Sequence, residues 1–176
     1  MSSEPDVDIP KKEIEGFDVR YTVQSDGLAL NDWLSHPTNA DRFAMSKPSE
    51  VKDSVQRWIS YSQWQCSLTG TMDGAPCAIA TLYLQPYVRL AHQSEMGIVV
   101  SPRFQGKGIG GQMMRNLIHL AKETFKVELL HLTVMDGSPA IQFYERLGFK
   151  VFARQEEWMK QPDGTYVARV FMEKWL

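Results

Sequence analysis

Apolar and polar residues alternate along Phe17 to Val23, with Phe17, Val19, Tyr21 and Val23 on one side. That period of two predicts a strand with one buried face. Beyond it the period lengthens. Leu28, Leu30, Trp33 and Leu34 fit a helix capped by Ser25 and stopped at His36-Pro37, because a residue before proline is steered out of the helical region. Val51, Val55, Trp58 and Ile59 form the inward stripe of a second helix, with Ser49 as its cap. Residues 65–85 read as a hairpin turning at Asp73-Gly74. Glu95 to Val100 is a further strand, ended by Ser101-Pro102. A glycine-rich turn follows, then a helix with Ile109, Met113, Leu117 and Ala121 on one face. Val127 to Met135 is apolar enough to predict a central strand buried on both faces. Ser138 and Pro139 open a short helix that Leu147-Gly148 closes. Residues 149–154 and two longer strands about Pro162-Asp163-Gly164 complete the chain.

This order predicts an α/β (α+β) fold: a mixed, mostly antiparallel twisted sheet with one parallel crossover at its centre and helices on both faces. The helix between strands 95–100 and 127–135 is long enough for the crossover, while hairpins impose antiparallel pairs. Residues 1–15 carry acids, lysines and prolines and few large apolar groups, so they read as a mobile tail, with one domain over 16–176. A chain of 176 residues can bury roughly 70% of its unfolded surface, so neither a metal nor a disulfide is required. The net charge of -2 gives no nucleic-acid or membrane footprint. No signal peptide or membrane-length apolar run is evident, and a cytoplasmic location is expected. If Asp73-Gly74 is the turn, Cys66 faces Thr81 and Cys77 faces Gly70. The two thiols are then roughly 13 Å apart and remain free.

The segment Gln105-Gly106-Lys107-Gly108-Ile109-Gly110-Gly111 follows a strand and opens a helix. Bare glycines admit a ligand close to the backbone, and the first N–H groups of a helix attract an anion, which suits a pyrophosphate. The nucleoside-triphosphate loop requires Gly, four residues, then Gly-Lys-Ser/Thr, and no such run exists. A dinucleotide fingerprint is present as Gly106-x-Gly108-x-x-Gly111, but too little chain follows for the second half of that fold. The third pattern, Gln/Arg-x-x-Gly-x-Gly/Ala, grips the pyrophosphate of coenzyme A and is met by Gln105, Gly108 and Gly110.

A second segment, Ser138-Pro139-Ala140-Ile141-Gln142-Phe143-Tyr144-Glu145-Arg146-Leu147-Gly148-Phe149, follows the next strand. Together the two segments resemble the GNAT superfamily of acyl-CoA N-acyltransferases, over roughly residues 17–176. The resemblance implies acetyl-CoA as co-substrate and a primary amine, on a small molecule or a peptide, as acceptor in a direct ternary complex. It implies binding of the coenzyme by Ile98, Val99, Val100, Gln105, Gly106, Lys107, Gly108, Ile109, Gly110, Gly111, Ser138 and Tyr144. The family usually has Asn three residues before the alanine of the second motif. Here Gly137 stands there, with Asp136 or Ser138 as substitutes. Weaker likenesses, at Trp33-Leu34 and at Pro162 to Tyr166, are to the ribosomal-protein and aminoglycoside branches.

Acetyl transfer needs a neutral amine, a stabilised oxyanion and a proton for the leaving thiolate. A phenol near pKa ~10 can protonate a thiolate of pKa ~8.5, and the resemblance assigns that role to Tyr144, whose spacing from Ile141 and Leu147 also fits plain packing. Glu95 is the candidate base, through ordered water, with His92 as its rival. Trp158 and Glu156 are candidates for the acceptor pocket. The resemblance gives the oxyanion to backbone N–H groups near Val99 or Val100, and the carbonyls of Ile98 and Val100 to the pantetheine arm. The four histidines and two cysteines have no ligand-like spacing, so no metal is expected. A homodimer is allowed, and neither nucleic acid nor membrane is expected as a partner. The alternative is a coenzyme-A-binding sensor of the same fold without turnover.

Overall fold

A computed structural model describes residues 13–40 and 42–176. The chain runs β1 (Phe17–Tyr21), α1 (Asp26–Ser35), α2 (Pro37–Ala40), α3 (Pro48–Ser60), β2 (Ser67–Met72), β3 (Ala75–Leu84) and β4 (Gln93–Val100). It continues through α4 (Ile109–His119), β5 (Leu129–Met135), α5 (Ala140–Arg146), β6 (Lys150–Lys160) and β7 (Tyr166–Trp175). The strands form one sheet in the order β1-β2-β3-β4-β5-β7-β6. Every neighbouring pair is antiparallel except β4 and β5. The mixed sheet with one central parallel pair is therefore as expected. Of the expected tail 1–15, residues 1–12 lie outside the described residues, and Ile14 packs, partly buried, against the core.

Helices cover both faces, and each face has its own core. Leu30, Trp33 and Leu34 of α1 and Val51, Trp58 and Ile59 of α3 meet Ile79 and Val99 on one side. On the other, Ile109, Met113, Leu117 and Ala121 are fully buried against Ala78, Ala80, Leu82, Met96, Leu130 and Leu132. Successive strand residues supply opposite cores, which is the alternation of a pleated strand.

Several local expectations are corrected. Ser25 makes no capping bond; Asp26 instead accepts the Val23 N–H at 2.9 Å. Ser49 lies inside α3, and Glu50 reaches back to accept the N–H groups of Ser46 and Lys47. Leu28 is 79% exposed, so it is not part of the inward stripe. Strand β5 buries only one face, Leu130 and Leu132, while Leu129, His131 and Thr133 remain half-buried. The strand expected at 149–154 and the first of the two long strands are one irregular strand, β6.

The hairpin turn is where the sequence placed it, with Asp73 and Gly74 both at positive φ (49° and 83°). Met72 pairs with Ala75, but a bulge follows: Thr71 pairs with Pro76 and Gly70 with Ala78. Cys77 is the extra residue, so it does not face Gly70, and the slipped register sets Cys66 beside Leu82 rather than Thr81. Both cysteines are free and buried, and burial pushes each thiol up to about 11.

Candidate active site

Strand β4 has two unlike edges. Against β3 it pairs from Ser94 to Val100 with no shift of register. Against β5 the ladder holds only at Gln93–Leu129, Ser94–Leu130 and Glu95–His131. Beyond Glu95 the two parallel strands diverge. The N–H of Ser101 donates to Cys77 at 2.9 Å, and the carbonyl of His92 accepts from Glu128 and Leu129. Backbone direction alternates along a strand, so Met96, Ile98 and Val100 turn their N–H and C=O groups toward the gap. Val99 turns its backbone to β3, and its side chain is buried between α1 and α3. The gap therefore exposes strand edge without any bulge in β4.

The glycine turn closes the end of that gap. Gly106 and Gly108 have φ of 73° and 86°, a region that a side chain strains to enter. A Cβ at Gly106 would meet nothing within 4 Å, and one at Gly108 only Ile14, at 3.7 Å. Gly106 thus stands clear of the described residues, with Gly108 under Ile14, at the start of α4, whose loop-spanning bonds begin with Gln112 N–H to Gly108 C=O at 3.3 Å. Such a terminus, ringed by unengaged N–H groups, favours an anion. Gln105 turns inward. Its amide donates to Asn39 Oδ1 at 2.8 Å and to the Val100 carbonyl at 3.1 Å, and Asn39 is itself buried and donates to Trp33 C=O at 3.0 Å. Gln105 therefore braces the turn. Lys107 and Arg103 approach the Phe104 ring at 5.1 and 5.5 Å, so two cations flank the cradle. Ile109 is fully buried beneath it, and a Cβ on Gly110 would press on Phe143 at 3.4 Å.

Tyr144 on α5 is buried in the core that α4 covers. Its ring packs edge-on against Phe143 and Phe149, with centroids 5.2 and 5.7 Å away. Its hydroxyl has no hydrogen-bond partner among the described residues, yet no sealed side-chain polar atom there lacks one. Burial drives its pKa well above that of an ordinary phenol, which keeps it protonated at neutral pH.

On the opposite face, α1 and α3 roof β3 and β4 but leave β5, β7 and β6 bare. There an open cleft of about 470 Å³ is lined by Glu95, His131, Thr133, Arg169, Phe171 and Glu173, with Phe152 among its walls. Glu95, His131 and Glu173 occupy one rung across three strands, so their side chains share a face. Glu95 also stands opposite Tyr83; burial first, then this carboxylate, pushes the Tyr83 hydroxyl far above its usual pKa. His92 does not line the cleft.

The gap and the glycine cradle adjoin one another, and Phe143, the neighbour of Tyr144, lies beneath Gly110. Residues 29–149 match the model of the acetyltransferase (GNAT) family. The chain belongs to the GNAT family. L-amino acid N-acetyltransferase AaaT of Escherichia coli (strain K12) is 28% identical over 108 residues, spanning 61% of this chain and 66% of that protein. Spermine/spermidine N(1)-acetyltransferase of Bacillus subtilis (strain 168) is 35% identical over 52 residues, 29% of this chain and 34% of that one. The chain thus spans less than two thirds of the length of either relative. Among solved structures, yncA from Salmonella typhimurium, described as an acetyltransferase and determined with its cofactor acetyl-CoA, aligns with a TM-score of 0.77 at 17% identity. That alignment covers 92% of this chain and 95% of the other.

The departure from the GNAT pattern at Gly137 has a local cause. Gly137 sits at φ 75° in the turn from β5 into α5, and nothing lies within 4 Å of where its Cβ would be. Asp136 is held by Arg154, at 2.6 Å, and Ser138 Oγ accepts the Ala140 N–H at 3.2 Å, so both proposed substitutes already have partners. Glu156 pairs with Arg154 outside the cleft. Trp158 lies 5.2 Å below the Arg169 guanidinium. The sequence reading missed Asn39, Arg103, His131, Arg169 and Glu173. Arg169 and Glu173 on β7 have a sequence signal, the even spacing that puts them on one face, but it acquires meaning only once strand order is known. Among the described residues no group of three or more His, Cys, Asp or Glu is set to hold a metal, and no helix is long and apolar enough to cross a membrane.

Proposed function

We propose that this protein transfers the acetyl group of acetyl-CoA to the primary amine of a small acceptor by direct attack in a ternary complex. The observation that carries the reading is the unpaired edge of β4 beyond Glu95, ending at a glycine cradle. Acetyl-CoA supplies the activated thioester. The cradle from Gly106 to Gly111 takes the pyrophosphate on backbone N–H groups, assisted by the charges of Lys107 and Arg103. Ile98 offers strand-like backbone bonds to the pantetheine arm, and the N–H of Val100, whose carbonyl is held by Gln105, donates to the developing oxyanion. Both named relatives act on small amines, which supports an acceptor of that class.

Glu95 removes the ammonium proton through water, and Tyr144 supplies one to the departing sulfur. Burial strengthens the hold of Tyr144 on its proton, but the same environment makes a thiolate more basic. Desolvation thus raises both donor and acceptor in the same direction.

The test joins binding to turnover. Acetyl-CoA at 100 times its dissociation constant should stabilise the fold by about 2.7 kcal/mol, seen as a raised melting temperature, and NAD or ATP should not. Gly108→Val should erase that shift. Because φ there is 86°, the variant should also lose about 1–2 kcal/mol of stability without ligand, so the shift is the readout. A panel of amines should release free thiol from acetyl-CoA. A shift with NAD alone would defeat the reading; binding of acetyl-CoA with no thiol release from any amine would leave the sensor alternative.

A further inference from the structure

Charge in the cleft is divided. Glu95 and Glu173 occupy the rung of His131, where the β4–β5 gap begins. Arg169 lies opposite Met135, four residues farther along β5, roughly 13 Å in the direction the gap opens. Its guanidinium is held from three sides. It rests 4.6 Å from the centroid of Phe171 and 5.2 Å from that of Trp158, and its Nε donates to Gln155 Oε1 at 2.9 Å. No carboxylate among the described residues pairs with it. The terminal nitrogens of a rigidly stacked arginine beside an open cleft are suited to grip a carboxylate through two parallel bonds.

We propose that Arg169 anchors the carboxylate of the acceptor, and that the acceptor is an α-amino acid with an apolar side chain. This rests on the acetyl-transfer reading above. The amine belongs between the acidic rung and Arg169, at the level of Thr133, beside the gap. Phe152 and Phe171, whose rings lie 6.0 Å apart, supply the apolar wall for the side chain. A polyamine would put a second cation against Arg169. In the reaction the amine nitrogen loses a proton and bonds the acetyl carbon while the carbon–sulfur bond breaks and the sulfur is protonated. The carboxylate is held and unchanged.

The experiment compares leucine with leucinamide, which keeps the skeleton and the amine but not the charge. Wild type should use leucine with a kcat/KM about 10- to 100-fold higher, the worth of a charged, paired hydrogen bond. Arg169→Met should lose that factor for leucine and change leucinamide little, and Arg169→Lys should fall between. Equal use of both acceptors by wild type, or an equal loss for both in a variant that still shows the acetyl-CoA melting shift, would overturn the assignment. Calorimetry with free coenzyme A present reads the same point without turnover. Leucine binding that Arg169→Met abolishes supports the anchor even if transfer fails, whereas no leucine binding to wild type refutes it.

Discussion

Two arginines on the same sheet differ in what surrounds them. Arg20, on β1 beneath α1, is saturated: it binds both oxygens of Asp26 at 2.8 Å. Asp26 is only 2% exposed and also accepts from Thr69 and Val23. Arg169, on β7 where no helix of the described residues covers the sheet, has a neutral partner and two aromatic faces but no counter-ion among those residues. The covered half of the sheet must satisfy its polar groups internally, because a buried polar atom without a partner costs about 1–3 kcal/mol. The open half is under no such constraint. Polar groups left unengaged there are available to a ligand, so saturated groups should govern stability and unengaged ones turnover.

The largest effect that tests this division is expected at Tyr144, whose hydroxyl lacks a partner among the described residues. Tyr144→Phe preserves the packing with Phe143 and Phe149 and removes only the oxygen. As the proton donor to sulfur it should be worth about 10²–10⁴ in kcat. Stability should move by no more than about 0.5 kcal/mol, and the acetyl-CoA dissociation constant should hold. Turnover unchanged under conditions where chemistry limits the rate would return Tyr144 to a packing role.

Asp26 is the converse case. Burial alone would raise its pKa, but the Arg20 bond, the Val23 N–H and the Thr69 hydroxyl outweigh that and hold it below the ordinary aspartate value. Asp26→Ala should cost about 2–3 kcal/mol in chemical denaturation; the lower end is apt because Arg20, 39% exposed, can return to water. A folded-state pKa below the unfolded one gives stability that is complete above the unfolded value, near ~3.9, and lost as pH falls through the folded value. The gap between wild type and variant should thus be full at pH 6 and shrink below about pH 4. Turnover per folded molecule should not change. A gap independent of pH would mean that the carboxylate charge is not the stabilising element.

How much of this was written in the chain differs between the same two halves. The helical stripes, Leu28 apart, and the Asp73-Gly74 turn are local patterns, and each fell at its expected place, as did the glycine turn ahead of α4. The bulge at Cys77 was not legible, since the turn residues fix where the hairpin reverses but not whether the ladder stays in register beyond it. Nor was the cleft. Glu95, His131 and Glu173 are separated by 36 and 42 positions in sequence, and only the order β4-β5-β7 makes them neighbours. Gln105 was read as a ligand contact from its motif, yet its amide is occupied by Asn39, whose partner no local pattern announces.

The smallest and sharpest prediction concerns Glu95, which stands at the border between the two halves. One side of its rung is Tyr83, in the covered core; the other is His131, in the cleft. Glu95→Gln preserves shape and removes the charge, and it also removes the carboxylate that helps raise the Tyr83 pKa. If Glu95 takes the ammonium proton through water, kcat/KM at pH 7 should drop about tenfold or more. Part of that loss should return as pH approaches ~10, where an alkylammonium of pKa ~10.4 begins to deprotonate unaided. His92→Gln should do less, since His92 lies outside the cleft and its carbonyl, not its ring, meets β5. His131→Gln separates the remaining possibility, because its ring lines the cleft on the same rung. Superimposable pH profiles for wild type and Glu95→Gln, together with a collapse of the rate in His131→Gln, would move the base one strand over and leave Glu95 on the structural side of the border.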